Sequence, residues 1–327
     1  MSSQSRIDIH VHMVGNGCAE SGCWFRYPWW KEPFAWLMAW QNDVPISALY
    51  GNLEAAYAKK LSEWVAKSDS IDEIVLLAQE EVYDENGNKL THLGSAHVPN
   101  DFVFEMCDKY EGLLPAISIH PARPDALQEL ERCIEKGAVM LKLLPNCQNV
   151  DCNLPQYREF WKMMGDAGLP LLAHTGGEYT LQVVNAAYSD PRVLRQPLEC
   201  GVKVIAAHCA TQSSFWDPQY FHVLEDLMAE YPNLYGDNSA LNTPFRSAKI
   251  RETLSGPMKG RIIHGSDYPV PIMGEWPWLR RMISWGEFRR CAGIANPIER
   301  DAQLKLALGY GEETFTRANQ VLRLNRR

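Results

Sequence analysis

Apolar, β-branched segments alternate along the chain with stretches that have helical periodicity. Short apolar runs bounded by turn residues are typical of buried strands, and apolar positions spaced three and four residues apart are typical of helices. The pattern predicts strands over 6–12, 71–78, 112–121, 138–145, 169–174, 202–208, 234–237 and 261–267. It predicts helices over 53–67, 101–110, 125–136, 156–167, 179–199, 220–230 and 247–254, with more helix towards the C-terminus.

This alternation predicts one α/β domain over residues 1–327. Strands that alternate with helices form parallel sheets, and eight such units favour a closed (β/α)8 TIM barrel over an open doubly wound sheet. No Gly-x-Gly-x-x-Gly motif follows the first strand, which argues against a dinucleotide-binding sheet. A long aromatic insertion, 13–52, separates the first strand from the first predicted helix.

The first strand carries a His-x-His pair, His10 and His12. Side chains of a strand repeat with period two, so both imidazoles are expected on one face. Two imidazoles on a rigid face can hold a divalent metal together. A short motif of this kind also occurs by chance, so its meaning depends on the other strand ends.

Further ligand-type residues do stand at the ends of later strands. They are Lys142 on strand four, His174 on strand five, His208 on strand six and Asp267 on strand eight. TIM-barrel enzymes keep their active sites at the C-terminal ends of the strands. The sequence therefore predicts one site at that rim. His120 ends strand three and is a further candidate for the pocket wall, whereas His264 is expected to face the outer helices.

Composition narrows the classes of partner. The formal net charge is −8 and the sequence pI is about 5.6, which argues against nucleic acid or an anionic membrane as a partner. No apolar run has the ~20 residues that cross a bilayer, and no basic leader with an apolar core begins the chain. Nine dispersed cysteines without a Cys-x-x-Cys pair are expected to be reduced thiols. These features predict a soluble, cytoplasmic protein.

The site residues resemble the amidohydrolase superfamily. The resemblance rests on His10-Val11-His12, on His174 and His208, and on the Gly-Ser-Asp-Tyr-Pro box at 265–269. More narrowly, these residues resemble the amidohydrolase-related branch that includes aminocarboxymuconate semialdehyde decarboxylase. Residues 319–324 are similar to the closing helix of that branch. The resemblance implies a distorted (β/α)8 barrel with zinc or a similar divalent ion. By position it implies that His10, His12, His174 and Asp267 bind the metal and that His208 is catalytic.

These residue types suit hydrolytic chemistry. Three imidazoles, one carboxylate and a water form a Lewis-acid site whose water loses a proton near neutral pH. Asp267 can accept that proton, and His208 can polarise a carbonyl or stabilise an oxyanion. Lys142 leaves the metal count open. In some amidohydrolases such a lysine is carbamylated and bridges two metals, whereas the one-metal branch has a similar Lys-x-x-Pro pattern. We favour one metal. An unmodified Lys142 would then be a cation in the pocket, suited to a carboxylate substrate.

The reaction has two candidate classes. The expectation is a hydrolase acting on a small carboxylic ester, lactone or amide, and the alternative is a non-oxidative decarboxylase of an unsaturated or aromatic acid. A decarboxylase needs a cation for the departing carboxylate, which Arg26 could supply unless it stacks on Trp24 or Tyr27 at the surface. A non-catalytic metal-binding barrel is a third, weaker hypothesis.

The aromatic insertion has three interpretations. It contains Trp24, Trp29, Trp30, Trp36 and Trp40, more aromatic surface than a simple loop needs. It can form a lid over a flat or apolar small-molecule substrate, pack as a satellite core, or provide the contact surface of a homodimer.

Overall fold

Eight parallel strands form the central sheet, and neighbours in the sheet are neighbours in the chain. The computed structural model describes residues 4–17, 20–26, 36, 46–51 and 53–324. The strands are β1 Ile7–His12, β2 Glu73–Leu77, β3 Leu113–Ile117, β4 Met140–Leu143, β5 Leu171–His174, β6 Val204–Ala207, β7 Leu234–Asp237 and β8 Ile262–Ile263. This is the predicted α/β barrel, with strand ends trimmed where the backbone pairing stops.

The barrel closes where the chain leaves β8 and runs beside β1. The amide of Ile9 donates to the carbonyl oxygen of His264 at 3.1 Å, and the amide of Asp267 donates to the carbonyl oxygen of His10 at 2.8 Å. The amide of His12 then donates to the carbonyl oxygen of Tyr268 at 2.8 Å. These bonds join the first strand to the segment that carries Asp267.

Helices cover the outside of the sheet. They are α1 Leu53–Ala66, α2 Asn100–Lys109, α3 Ala126–Glu135, α4 Pro145–Gln148, α5 Arg158–Asp166, α6 Arg195–Glu199, α7 Phe221–Glu230, α8 Ile250–Thr253, α9 Glu275–Leu279, α10 Trp285–Ala292, α11 Pro297–Ala307, α12 Glu312–Thr316 and α13 Ala318–Val321. Helix α3 ends as the sequence predicts, because Gly137 adopts a φ of +96° and donates its amide to Ile134. Glycine takes that left-handed conformation without steric cost.

The predicted helix over 179–199 is wrong for most of its length. The segment forms the 3-10 turns Ala186–Ser189 and Pro191–Leu194, and only α6 is α-helical. The side chains of Asn185 and Asp190 accept hydrogen bonds from backbone amides two residues later and so start separate turns. Such local bonds compete with a continuous helix.

An irregularity in β1 changes which residues face the barrel interior. The pairing register between β1 and β2 shifts between Asp8 and Val11. Ile9 belongs to an apolar cluster built mainly from residues of the barrel strands, whereas Val11 packs in a cluster with residues of α1 and α2. In a regular strand, the neighbours Ile9 and His10 would point to opposite faces. The side chain of His10 nevertheless contacts Lys142 of β4, on the same inner side as Ile9. Bulges of this kind re-aim side chains next to active sites.

About half of the aromatic insertion is described. Trp24–Phe25 pairs antiparallel with Ala96–His97, and Nε1 of Trp36 donates to the hydroxyl of Tyr50 at 2.8 Å. Trp29, Trp30 and Trp40 lie outside the described residues, so the lid and the homodimer stay predictions. Within the described part of the chain, no helix is both long and apolar enough to span a membrane. The cysteines in that part are free thiols.

Candidate active site

Two histidines of β1 and an aspartate after β8 meet at the C-terminal rim of the barrel. Asp267 Oδ1 lies 3.2 Å from Nε2 of His10 and 3.2 Å from Nε2 of His12. Two ligands of a tetrahedral zinc ion, each ~2.0–2.1 Å from it, lie about 3.3 Å from each other. A Cβ at Gly265 would lie 2.8 Å from the Cβ of His10, so glycine there permits the close approach of the two segments.

Two more histidines complete the cluster. The ring of His208 lies 5.3 Å from that of His10 and 5.1 Å from that of His174. Potential ligand atoms of His10, His208 and Asp267 all lie within 4.8 Å of one another. The structure therefore brings together His10, His12, His174, His208 and Asp267, as the sequence predicts, while their division into ligands and catalytic residues stays a prediction.

A left-handed turn aims His208 into the site. His208, Cys209 and Ala210 have φ values of 57°, 50° and 52°, and Asp267 has a φ of 66°. L-residues rarely adopt this region, and each such residue costs about 1–3 kcal/mol unless its surroundings hold it. Two of these four residues, His208 and Asp267, belong to the cluster.

Asp237, at the end of β7, binds two histidines of the cluster, His10 and His208, and was not predicted from the sequence. Its Oδ2 lies 2.7 Å from Nδ1 of His10, and its Oδ1 accepts the amide of His208 at 2.7 Å. Nδ1 of His208 lies 3.1 Å from the carbonyl oxygen of Ser239, which can only accept. In both rings Nδ1 therefore carries the proton, and the lone pair of Nε2 faces the cluster. A neutral His208 is thus a proton acceptor or ligand, not the carbonyl-polarising donor expected from the sequence.

The electrostatics favour neutral imidazoles beside an ionised carboxylate. Burial, followed by the charge of Lys142, lowers the pKa of His10 to about 4. Burial also lowers the pKa values of His174 and His208 well below the ordinary value. Burial alone would raise the pKa of Asp267, but His208 and His10 hold it well below the ordinary range. Metal binding needs these deprotonated forms.

The donor set fits a divalent ion. Nε2 of His174 is buried and has no hydrogen-bond partner among the described residues, and it lies 3.5 Å from Oε2 of Glu178. A buried ring nitrogen without a partner is costly unless something binds it. Glu178, four residues after His174, is a second carboxylate that was not predicted from the sequence.

Lys142 lies inside the cluster. Its Nζ is 3.0 Å from Nε2 of His10, and the residue is 1 % exposed. Burial lowers the pKa of Lys142 to about 8. One lone pair on His10 cannot serve Lys142 and an ion together, so an ion held by His10 would require the lysine to move away from that nitrogen.

Two predicted substrate-binding residues are engaged elsewhere. Arg26 is exposed, stacks 4.2 Å above the ring of Trp24 and donates to the carbonyl oxygen of Thr91, which matches the surface alternative. Nε2 of His120 lies 3.0 Å from the carbonyl oxygen of Gln148, and its Nδ1 accepts the amide of Ala122. Both ring nitrogens of His120 thus bind backbone groups.

His264 lies on the outer side of the barrel, as expected. Its ring is 4.5 Å from that of Phe315 in α12.

Asp237→Asn is expected to weaken zinc binding about 10- to 100-fold. The neutral asparagine side chain no longer fixes the proton on Nδ1 of His10, so it no longer keeps Nε2 free for the ion. Titration of the chelated protein with zinc measures the change. Ser239→Ala is the matched control, since it removes the 2.8 Å contact to Nδ1 of His208 but leaves the pair of Asp237 with His10. Equal zinc affinity in Asp237→Asn and the unaltered protein would contradict this role.

Comparison with known proteins identifies the family. A model of the amidohydrolase family matches residues 76–280, and the chain belongs to that family. The protein is therefore a metal-dependent enzyme of the amidohydrolase type, which confirms the resemblance drawn from the motifs. The matched range includes His174, His208 and Asp267 and begins after His10 and His12. No curated protein matches the chain.

Solved structures confirm the barrel. An uncharacterised TIM-barrel protein from Bordetella bronchiseptica has a TM-score of 0.58 at 18 % identity, covering 96 % of this chain and 99 % of that protein. A candidate 2-pyrone-4,6-dicarboxylic acid hydrolase from Pseudomonas putida has a TM-score of 0.52 at 13 % identity, covering 95 % and 93 %. At such identities the likeness establishes the fold alone.

Proposed function

We propose that the protein is a metal-dependent hydrolase of a small carboxylic ester, lactone or amide. The observation that carries the proposal is the 3.2 Å separation of Asp267 Oδ1 from Nε2 of both His10 and His12. Neutral imidazoles and a carboxylate at this spacing suit zinc or a similar ion. We assign one ion to His10, His12, His174 and Asp267.

The side chains of the cluster supply the proton transfers. A bound divalent ion acidifies water and polarises a carbonyl oxygen. Asp267 takes a proton from the attacking water and returns it to the leaving oxygen or nitrogen. An O–H bond of water and the C–O or C–N bond of the substrate break, while a new C–O bond and a new O–H or N–H bond form. His208 Nε2 lies 3.9 Å from Asp267 Oδ2, and its lone pair is a second proton acceptor that the attacking water could reach.

The same donors could serve a non-oxidative decarboxylase, which remains the alternative. Hydrolysis requires only the water and the proton carriers already named. Decarboxylation also requires a proton donor to the carbanion that remains. The reaction products separate the two classes directly.

Removal of the metal tests the proposal. The chelated protein is expected to be inactive, and one equivalent of zinc per chain should restore at least about 100-fold activity on 4-nitrophenyl esters, lactones or amides. Because a protein of similar fold bears that substrate in its name, 2-pyrone-4,6-dicarboxylate belongs in the panel. Release of CO₂ from aromatic acids without hydrolysis would favour the decarboxylase. Equal turnover with and without metal would overturn the proposal.

A further inference from the structure

The loop after β5 brings a second carboxylate to the cluster. Glu178 stands four residues after His174, and its side chain is 9 % exposed. Its Oε1 accepts the amide of Thr180 at 2.5 Å and the amide of Leu181 at 2.9 Å. These bonds fix the carboxylate and leave its other oxygen, Oε2, at 3.5 Å from Nε2 of His174.

Neighbouring loops hold the backbone of Glu178 in this place. Arg246, which is 6 % exposed, donates through Nη2 to the carbonyl oxygen of Gly177 at 2.8 Å. A Cβ at Gly177 would lie 2.0 Å from Oδ2 of Asp217, so glycine allows the loop after β6 to pack against the loop of Glu178. Contacts on both sides of Gly177 therefore fix the position from which Glu178 faces His174.

The 3.5 Å separation distinguishes two roles for Glu178. N–H···O hydrogen bonds are about 2.7–3.2 Å long, so the contact with His174 is longer than such a bond. Two ligands that each lie ~2.0–2.2 Å from one ion are about 3.0–3.5 Å apart. Asp267 approaches His10 and His12 at 3.2 Å, which lies in the same range. The spacing fits two ligands of one ion better than a hydrogen-bonded pair.

The charges around the cluster also favour a further cation. The carboxylates of Asp267, Asp237 and Glu178 all act on the two buried cations, Lys142 and Arg246, and raise their pKa values against the effect of burial. These three carboxylates outnumber the two cations. A divalent ion bound beside Glu178 would be compensated by negative charge that is already in place.

We propose that Glu178 is a further ligand of the metal ion, bound through Oε2 on the side of His174. The inference rests on the metal-dependent function proposed above. With His10, His12, His174 and Asp267, Glu178 would give the ion five protein ligands, whereas catalytic zinc sites usually have three. A second carboxylate would also suit ions such as Mn²⁺, which prefer oxygen ligands more strongly than zinc does.

Zinc affinity measures the contribution of Glu178. The chelated unaltered protein and Glu178→Gln are titrated with zinc in competition with a chromophoric chelator. Glutamine has nearly the shape of glutamate and can still accept the amides of Thr180 and Leu181, so the loop is kept while the anionic ligand is removed. The variant should bind zinc at least about 100-fold more weakly, since losing even a hydrogen-bond partner of a ligand costs about 10- to 100-fold.

Cobalt reports directly on ligation. Losing a carboxylate ligand changes the position and strength of the visible absorption of Co²⁺, so the spectra of the cobalt-saturated unaltered protein and Glu178→Gln should differ. An unchanged spectrum would overturn the proposal whatever the change in zinc affinity, because Glu178 would then act only through His174.

Asp217→Asn is the matched control. Asp217 lies against Gly177, the residue before Glu178, and its Oδ2 accepts the amides of Ser213 and Ser214 at 2.9 and 2.7 Å. The change removes a negative charge beside the same loop but leaves the contact of Glu178 with His174. Zinc affinity should stay within about fivefold, because solvent screens a partly exposed charge. An equal loss in both variants would show that nearby charge, rather than ligation by Glu178, sets the affinity.

Diffraction covers the case in which Glu178→Gln does not fold. Crystals of the unaltered protein are soaked in zinc, and anomalous scattering locates the ion. An ion ~2.0–2.2 Å from Oε2 of Glu178 supports the proposal, and an ion held by the histidines without Oε2 overturns it.

These measurements use no substrate, so they are separate from the test of the hydrolase. Ester hydrolysis together with unchanged zinc affinity in Glu178→Gln would overturn the ligand and leave the hydrolase. Lost zinc affinity and an altered cobalt spectrum without any hydrolysis would support the ligand and overturn the reaction class. An unaltered protein that binds neither ion would overturn both.

Discussion

Replacing Asp267 by asparagine is expected to lower kcat/KM of the zinc-loaded protein at least about 1000-fold, since the amide removes a proton acceptor and weakens a metal ligand together. Asparagine is the informative choice because it has nearly the shape of aspartate and tolerates the φ of 66° at this position. The measurement is kcat/KM on the ester that the unaltered protein hydrolyses fastest, with zinc content determined on the same sample.

Asp237→Asn provides the comparison, because both carboxylates are buried beside His10. At saturating zinc, Asp237→Asn should recover most of its activity, whereas Asp267→Asn should not. An Asp267→Asn protein that binds zinc and retains more than about a tenth of its activity would remove Asp267 from the mechanism.

The fold follows closely from the apolar pattern because each barrel strand is buried and short. Leu234–Asp237 is a strand over the predicted residues, and helix α1 ends one residue before its predicted end. The pattern fails at 179–199, where Asn185 and Asp190 bind nearby backbone amides. Apolar spacing does not register those local bonds, so it overestimates helix there.

Strict period-two alternation describes β1 only in part. It correctly places His10 and His12 together, since both approach Oδ1 of Asp267. It also groups Ile9 with Val11, which the structure separates into an inner and an outer apolar cluster. The register shift between Asp8 and Val11 arises from pairing with β2, which is information that one strand does not contain.

Residues of the site differ in how visible they are in sequence. Asp237 ends a predicted strand at the same rim as Asp267, so its position was a usable signal. Arg246 stands in a loop, and arginine is so often exposed that nothing in the sequence marks this one as buried. Arg26 shows the converse, because a cation in an aromatic segment looked like a pocket residue and instead stacks on Trp24 at the surface.

A buried ion pair on α11, next to the segment that carries Asp267, is expected to have a large effect on stability. Lys305 and Asp301 lie one turn apart on α11, are 1 % and 0 % exposed, and approach to 2.6 Å. Lys305 also donates to the carbonyl oxygen of Gly265, two residues before Asp267. Burial raises the pKa of Asp301 to about 6 despite the nearby ammonium, so at neutral pH its carboxylate depends on Lys305 for compensation.

Lys305→Met is therefore expected to lower the free energy of unfolding by about 3–5 kcal/mol, because it leaves a buried carboxylate without a cation. Lys305→Met/Asp301→Leu should recover most of that stability, since it removes both charges. Denaturant unfolding at saturating zinc measures the three proteins. The double variant should still have a reduced kcat, because Gly265 has lost its donor beside Asp267. A double variant no more stable than Lys305→Met would show that the loss comes from packing rather than from the unpaired charge.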